Sequence, residues 1–107
     1  MKVLFWNTHN NDSINSALLN VVENKISFVI LAEYTANLDQ LIALLSEKGI
    51  VMRRYMTIGC ERITVLGSVL NVEPGPQPKY ASMQVIDKRD ILCCVHLPAK
   101  FIHKVLE

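Results

Sequence analysis

The segment Ser27-Phe28-Val29-Ile30-Leu31-Ala32 constrains this chain more than any other. It is almost wholly apolar and partly β-branched, with no polar residue at alternate positions. Such a run reads as a strand covered on both faces, as in a layered α/β sheet. Glu33 ends it. Lys2–Trp6 (KVLFW) predicts a second short buried strand, followed by the polar stretch Asn7–Asp12, rich in residues that favour turns and caps. Asp12 or Ser13 is placed to cap a helix running to about Lys25, with Ile14, Leu18, Val21 and Val22 on one face. Thr35 or Asn37 is placed to cap another through about Lys48, with Leu38, Leu41, Ile42 and Leu45 as its stripe and Gly49 as its stop.

The second half of the chain is punctuated differently. Ile50–Met56 and Ile63–Leu70 read as strands on either side of the Gly59-Cys60-Glu61 turn. Glu73–Pro78 carries three prolines and a glycine, so it is expected to be a loop. Tyr80–Asp87 and Ile91–Leu97, separated by Lys88-Arg89-Asp90, should form a hairpin. Pro98–Glu107 is compatible with a further helix or a frayed end. The order β-α-β-α-β-β-β-β predicts one α/β layered domain over residues 1–107, a mixed β-sheet with two or three helices on one face.

With 107 residues, half of them hydrophobic and 20% charged, the chain is too apolar for a disordered tail. The surplus of apolar residues suggests an exposed face that takes a partner. A formal net charge of +1 provides no broad basic field for sequence-independent nucleic-acid binding, so any phosphate contact must be local. No apolar run approaches the roughly 20 residues that span a bilayer, so no membrane role is expected. Without a signal-peptide pattern, the three cysteines Cys60, Cys93 and Cys94 are expected as reduced thiols in the cytoplasm.

Chemistry is to be sought where strands end. Glu33 leaves an apolar strand at the edge of a dry core, where a bare carboxylate must be paired, hydrated or metal-bound. Mg²⁺ prefers oxygen ligands and keeps several waters, so one or two carboxylates suffice. The alternative is a surface Glu or one capping the next helix. Asn7 is either a turn residue or an amide that steers a phosphate, a carboxylate or a water. If the first two strands are neighbours, Asn7 and Glu33 share the sheet end where open α/β sheets place ligands. His96 can pair with a phosphoryl oxygen, or be simply structural. His9 and His103 lack ligand spacing to a second His or Cys, and Cys93 and Cys94 should point to opposite strand faces.

Lys2–Asn7, Phe28–Glu33 and Ile91–Pro98, in this order, resemble the N-terminal half of the endonuclease/exonuclease/phosphatase superfamily, the deoxyribonuclease-I-like fold. The resemblance implies half of a four-layer sandwich. It also implies a Mg²⁺-dependent phosphodiesterase or phosphatase site with Glu33 as metal ligand, Asn7 as organiser of metal and phosphate, and His96 as phosphate contact. Ala32 stands where the family commonly has Gln, and Cys94 where many members have Asn. The family's Gly-Asp-x-Asn and Ser-Asp-His segments are not in this sequence. The resemblance therefore implies weak Mg²⁺ binding and little or no hydrolysis by this chain alone, on a phosphoester or nucleic-acid ligand. A sheet resembling only that half would leave its inner face bare. The competing expectation is thus a catalytically silent interaction module, a homodimer packed sheet against sheet.

Overall fold

The computed structural model describes residues 2–23 and 25–96. Its elements are β1 (Lys2–Asn7), α1 (Asn15–Val21), β2 (Ile26–Ala32), α2 (Leu38–Glu47), β3 (Arg53–Tyr55), β4 (Ile63–Gly67), β5 (Val72–Pro74), β6 (Ala81–Ile86) and β7 (Asp90–Val95). They form two sheets, one of order β1-β2-β4-β3 and one of order β5-β6-β7. The β1–β2 pair is parallel, and every other pair is antiparallel.

The layering follows from the alternation of β2. Val29 and Leu31 face α1 and α2, in a core with Leu18, Val22, Leu41, Leu45, Ile50, Met52 and Leu66. Phe28 and Ile30 face the other way, into a second core with Tyr55, Cys60, Ile63, Val65, Ile86 and Cys94. The chain is therefore a three-layer α/β/β body, with β2 dry on both faces as its composition requires.

This corrects two expectations. The strands do not form a single mixed sheet, because the chain leaves β4 and builds a second sheet against the first. Nor is the inner face bare: the chain's own β5-β6-β7 layer covers Phe28, Ile30, Ile63 and Val65. A second copy cannot pack against that covered surface. Only β1 departs from the pattern, since Val3 and Phe5 align with Phe28 and Ile30 yet remain exposed.

Local chemistry sets the helix ends. Asn37, rather than Thr35, caps α2, its side chain accepting from the Gln40 N–H. Gly49 follows with φ +83°, its N–H donating to Ser46 O and that of Ile50 to Leu45 O. That is the Schellman pairing, and it satisfies the last carbonyls of the helix. Helix α1 is shorter than expected. Asp12 accepts a 2.7 Å hydrogen bond from Thr35 and does not cap α1, and Val22 turns extended while remaining buried. The expected loop at 73–78 begins within β5, a three-residue edge strand whose last residue is Pro74, a position where the missing N–H is tolerated. The hairpin forms as expected, with Asp87 and Lys88 left-handed in its turn. The expectations for Leu97, Pro98–Glu107 and His103 lie outside the described residues. Among the described residues, no helix is long and apolar enough to cross a membrane.

Candidate functional site

Parallel pairing of β1 with β2 sets Asn7 beside Ala32, so both strands deliver their next residues to one sheet end. There the backbone takes an uncommon path. His9, Asn10 and Glu33 have φ values of 51°, 57° and 52°. For residues with a Cβ, the left-handed region costs of order 1 kcal/mol each and persists only where surrounding bonds enforce it. Here they do. The Glu33 carbonyl accepts from the Asn10 N–H at 2.8 Å and from Thr8 Oγ1 at 2.7 Å, and the Glu33 N–H donates to Arg62 O at 3.1 Å. Asn7 Oδ1 accepts from the His9 N–H at 2.9 Å and closes the turn.

The segment after Glu33 is pinned from the helical side. Tyr34 OH donates to Asn15 Oδ1 at 2.6 Å, and Asn15 Nδ2 donates to Asn37 O and Gln40 Oε1. Burial pushes the Tyr34 phenol above its ordinary range, against the opposing effect of the Asn15 bond, so it remains a neutral donor. Asn15 thus joins the start of α1 to the start of α2 and to Tyr34, the residue after Glu33.

Two imidazoles bracket the carboxylate. His9 Nδ1 lies 3.7 Å from Glu33 Oε2, and His96 Nε2 lies 3.9 Å from Oε1. The His96 side chain is only 16% exposed and that of Glu33 30%, whereas His9 stands 80% exposed. Both separations exceed a direct hydrogen bond. They place each imidazole within ion-pair distance of a different carboxylate oxygen. His96 is fixed by its N–H, which donates to Tyr80 O at 2.9 Å.

Of the sequence-predicted residues, Glu33 and His96 come together within ion-pair distance, 3.9 Å apart. Asn7 lies at the same rim, its amide oxygen engaged by the His9 backbone. The expectation missed His9, because only the left-handed turn at His9 and Asn10 returns this residue to the carboxylate. Its one sequence signal is the polar Asn7–Asp12 stretch directly after a strand. As a magnesium site, Glu33 offers a single carboxylate, and the two imidazoles approach different oxygens of it. Among the described residues, no group of three or more His, Cys, Asp or Glu is arranged to hold a metal.

The cysteines stand apart from this chemistry. Cys94 is buried and Cys93 exposed, on opposite strand faces as expected. Burial, with smaller contributions from Cys93 and Cys60, pushes the Cys94 thiol up to about 11, so it is not a nucleophile at neutral pH.

The backbone at Glu33 gives a prediction that separates conformation from charge. Glycine adopts φ +52° without strain, and relief of about 1 kcal/mol offsets its larger unfolded-state entropy. Glu33→Gly should therefore melt no lower than the parent, and Glu33→Val, β-branched in a left-handed position, should melt several degrees lower. Thermal unfolding followed by circular dichroism checks this. A glycine variant that melts well below the parent would mean that the carboxylate itself holds the rim together.

Comparison with family models, with curated proteins and with solved structures gives no significant match.

Proposed function

We propose that this rim is a phosphoester site in which Glu33 holds a divalent cation weakly, His96 contacts the phosphoryl group and Asn7 orders the turn beside them. The observation that carries this reading is the Glu33 carboxylate, fixed by an enforced left-handed backbone and bracketed by His9 and His96. The resemblance to the N-terminal half of the endonuclease/exonuclease/phosphatase superfamily supports it. Mg²⁺ supplies Lewis acidity when bound, and Glu33 is the oxygen ligand present for it. The described rim offers one carboxylate, where metal-assisted hydrolysis also needs a group to generate the nucleophile. We infer binding of phosphoesters with little turnover. Ligands that bind the folded state raise its melting temperature, so Mg²⁺ or Mn²⁺ titration should raise the midpoint of the parent and not that of Glu33→Gln. A midpoint indifferent to metal, or metal-dependent hydrolysis that survives Glu33→Gln, would overturn the assignment.

A second reading is supported by the outer face of the β5-β6-β7 sheet. Pairing and alternation place Ala81, Met83, Val85, Ile91, Cys93 and Val95 on that face, with none of them buried. Soluble monomers rarely leave a contiguous apolar patch of this kind, and such patches mark interaction surfaces. On this reading the chain is a catalytically silent module that self-associates through this face rather than through the covered one. Sedimentation distinguishes the two: the interaction module is a concentration-dependent dimer that Ile91→Asp makes monomeric.

A further inference from the structure

We propose that Arg62 and Lys79, gathered on Tyr80 beside the Glu33 rim, form a separate anion subsite that takes the dianionic phosphate of a phosphomonoester. A cavity of about 350 Å³ is lined by Gly59, Glu61, Arg62 and Lys79. The Arg62 guanidinium carbon and Lys79 Nζ each lie 5.4 Å from the Tyr80 ring centroid. A ring face attracts cations without neutralising them, and neither side chain has a carboxylate within ion-pair distance among the described residues. Two positive charges are thus positioned by one aromatic ring with their hydrogen-bond donors uncommitted to an acid. Arg62 provides a planar fork suited to two phosphate oxygens, and Lys79 a point charge.

The walls of the cavity are built, not incidental. Gly59 has φ +106°, and a Cβ there would lie 2.5 Å from the Gln77 carbonyl oxygen, so the turn before β4 and the loop after β5 touch at this point. The Gln77 amide donates to Gly75 O and Met83 O, which ties the loop to β6. The subsite is also joined to the rim through the backbone. Arg62 O accepts from the Glu33 N–H, and Tyr80 O accepts from the His96 N–H. The cavity itself is lined by none of the side chains of the carboxylate–imidazole cluster. Among the described residues, Glu61 is the one acid lining the cavity and lowers the charge of that lining from two to one. It disfavours anions, which gives a signed test.

The subsite stands on residues other than those of the metal reading, so the two can fail separately. Inorganic phosphate is titrated into ¹⁵N-labelled protein in EDTA, at an ionic strength held constant with sodium chloride, with amide shifts followed at Gly59, Glu61, Arg62 and Lys79. The parent should saturate. Arg62→Ala and Lys79→Ala should each weaken the apparent affinity at least tenfold, Glu61→Gln should tighten it, and Glu33→Gln should leave it within twofold. All four positions are at least partly exposed, and unchanged spectra elsewhere confirm that each variant is folded. Non-saturating shifts in the parent, equal affinity in the Arg62→Ala/Lys79→Ala double variant, or loss of binding in Glu33→Gln would each overturn the proposal.

Discussion

Replacing Phe28 by alanine should lower the stability of this protein by about 3–5 kcal/mol, the range for truncating a fully buried aromatic residue. Phe28 has no exposed surface, sits at the centre of the inter-sheet core and meets the Tyr55 ring at 5.6 Å between centroids, tilted by 48°. Both rings are held on strands of the four-stranded sheet, so neither can move to fill the void without breaking ladder bonds. A domain of this size has roughly 5–15 kcal/mol in total, so the variant should be close to unfolding at ambient temperature. The matched control is Phe5→Ala. Phe5 lies on the same side of the sheet one strand away but is 51% exposed, and its loss should cost no more than about 1 kcal/mol. Urea denaturation of both variants compares them directly. Similar costs would mean that the second sheet does not pack on the first as described.

The contrast between Phe28 and Phe5 also shows what the sequence could reveal. SFVILA announces a strand dry on both faces, and β2 is one. The Asn37 cap and the Gly49 stop were legible because their chemistry is local to a few residues. The end of α1 was not, since Asp12 is taken by Thr35, 23 residues away in the chain. Alternation in Tyr80–Asp87 marks two faces of a strand without saying which sheet the strand joins. Alternation alone therefore does not separate the second layer from the first, nor Phe5 from Phe28. At the rim, Glu33 and His96 were legible as polar residues ending apolar strands. His9 depended on φ values that no residue type there demands, and the Arg62–Lys79–Tyr80 cluster depended on two loops meeting at Gly59.

Gly67→Ala should cost about 3 kcal/mol, at the upper end of overpacking in a core. Its backbone is not left-handed, so conformational freedom plays no part and the cause is space alone. Gly67 pairs with Phe28 on β2 and with Arg53 on β3. A Cβ there would lie 2.6 Å from Ser27 O, 2.7 Å from Tyr55 Cε2 and 2.9 Å from the Tyr55 hydroxyl. Neither neighbour can yield cheaply. Ser27 O accepts from the Ser68 N–H at 3.1 Å, and the Tyr55 hydroxyl donates to Val69 O at 2.5 Å. Gly49 makes the opposite case: φ is +83° and nothing lies within 4 Å of the missing Cβ, so Gly49→Ala should cost only the ~1 kcal/mol of a left-handed alanine. Truncating Tyr55 to leucine in the Gly67→Ala background removes one of the two clashes. The two changes should then be less than additive by about 1 kcal/mol, the coupling expected of residues in direct contact. If Gly67→Ala instead unfolds at the same urea concentration as Gly49→Ala, or the double variant is strictly additive, then Tyr55 does not close over Gly67. The inter-sheet core that seats β4, and with it the Arg62 carbonyl holding Glu33, would then be looser than these distances require.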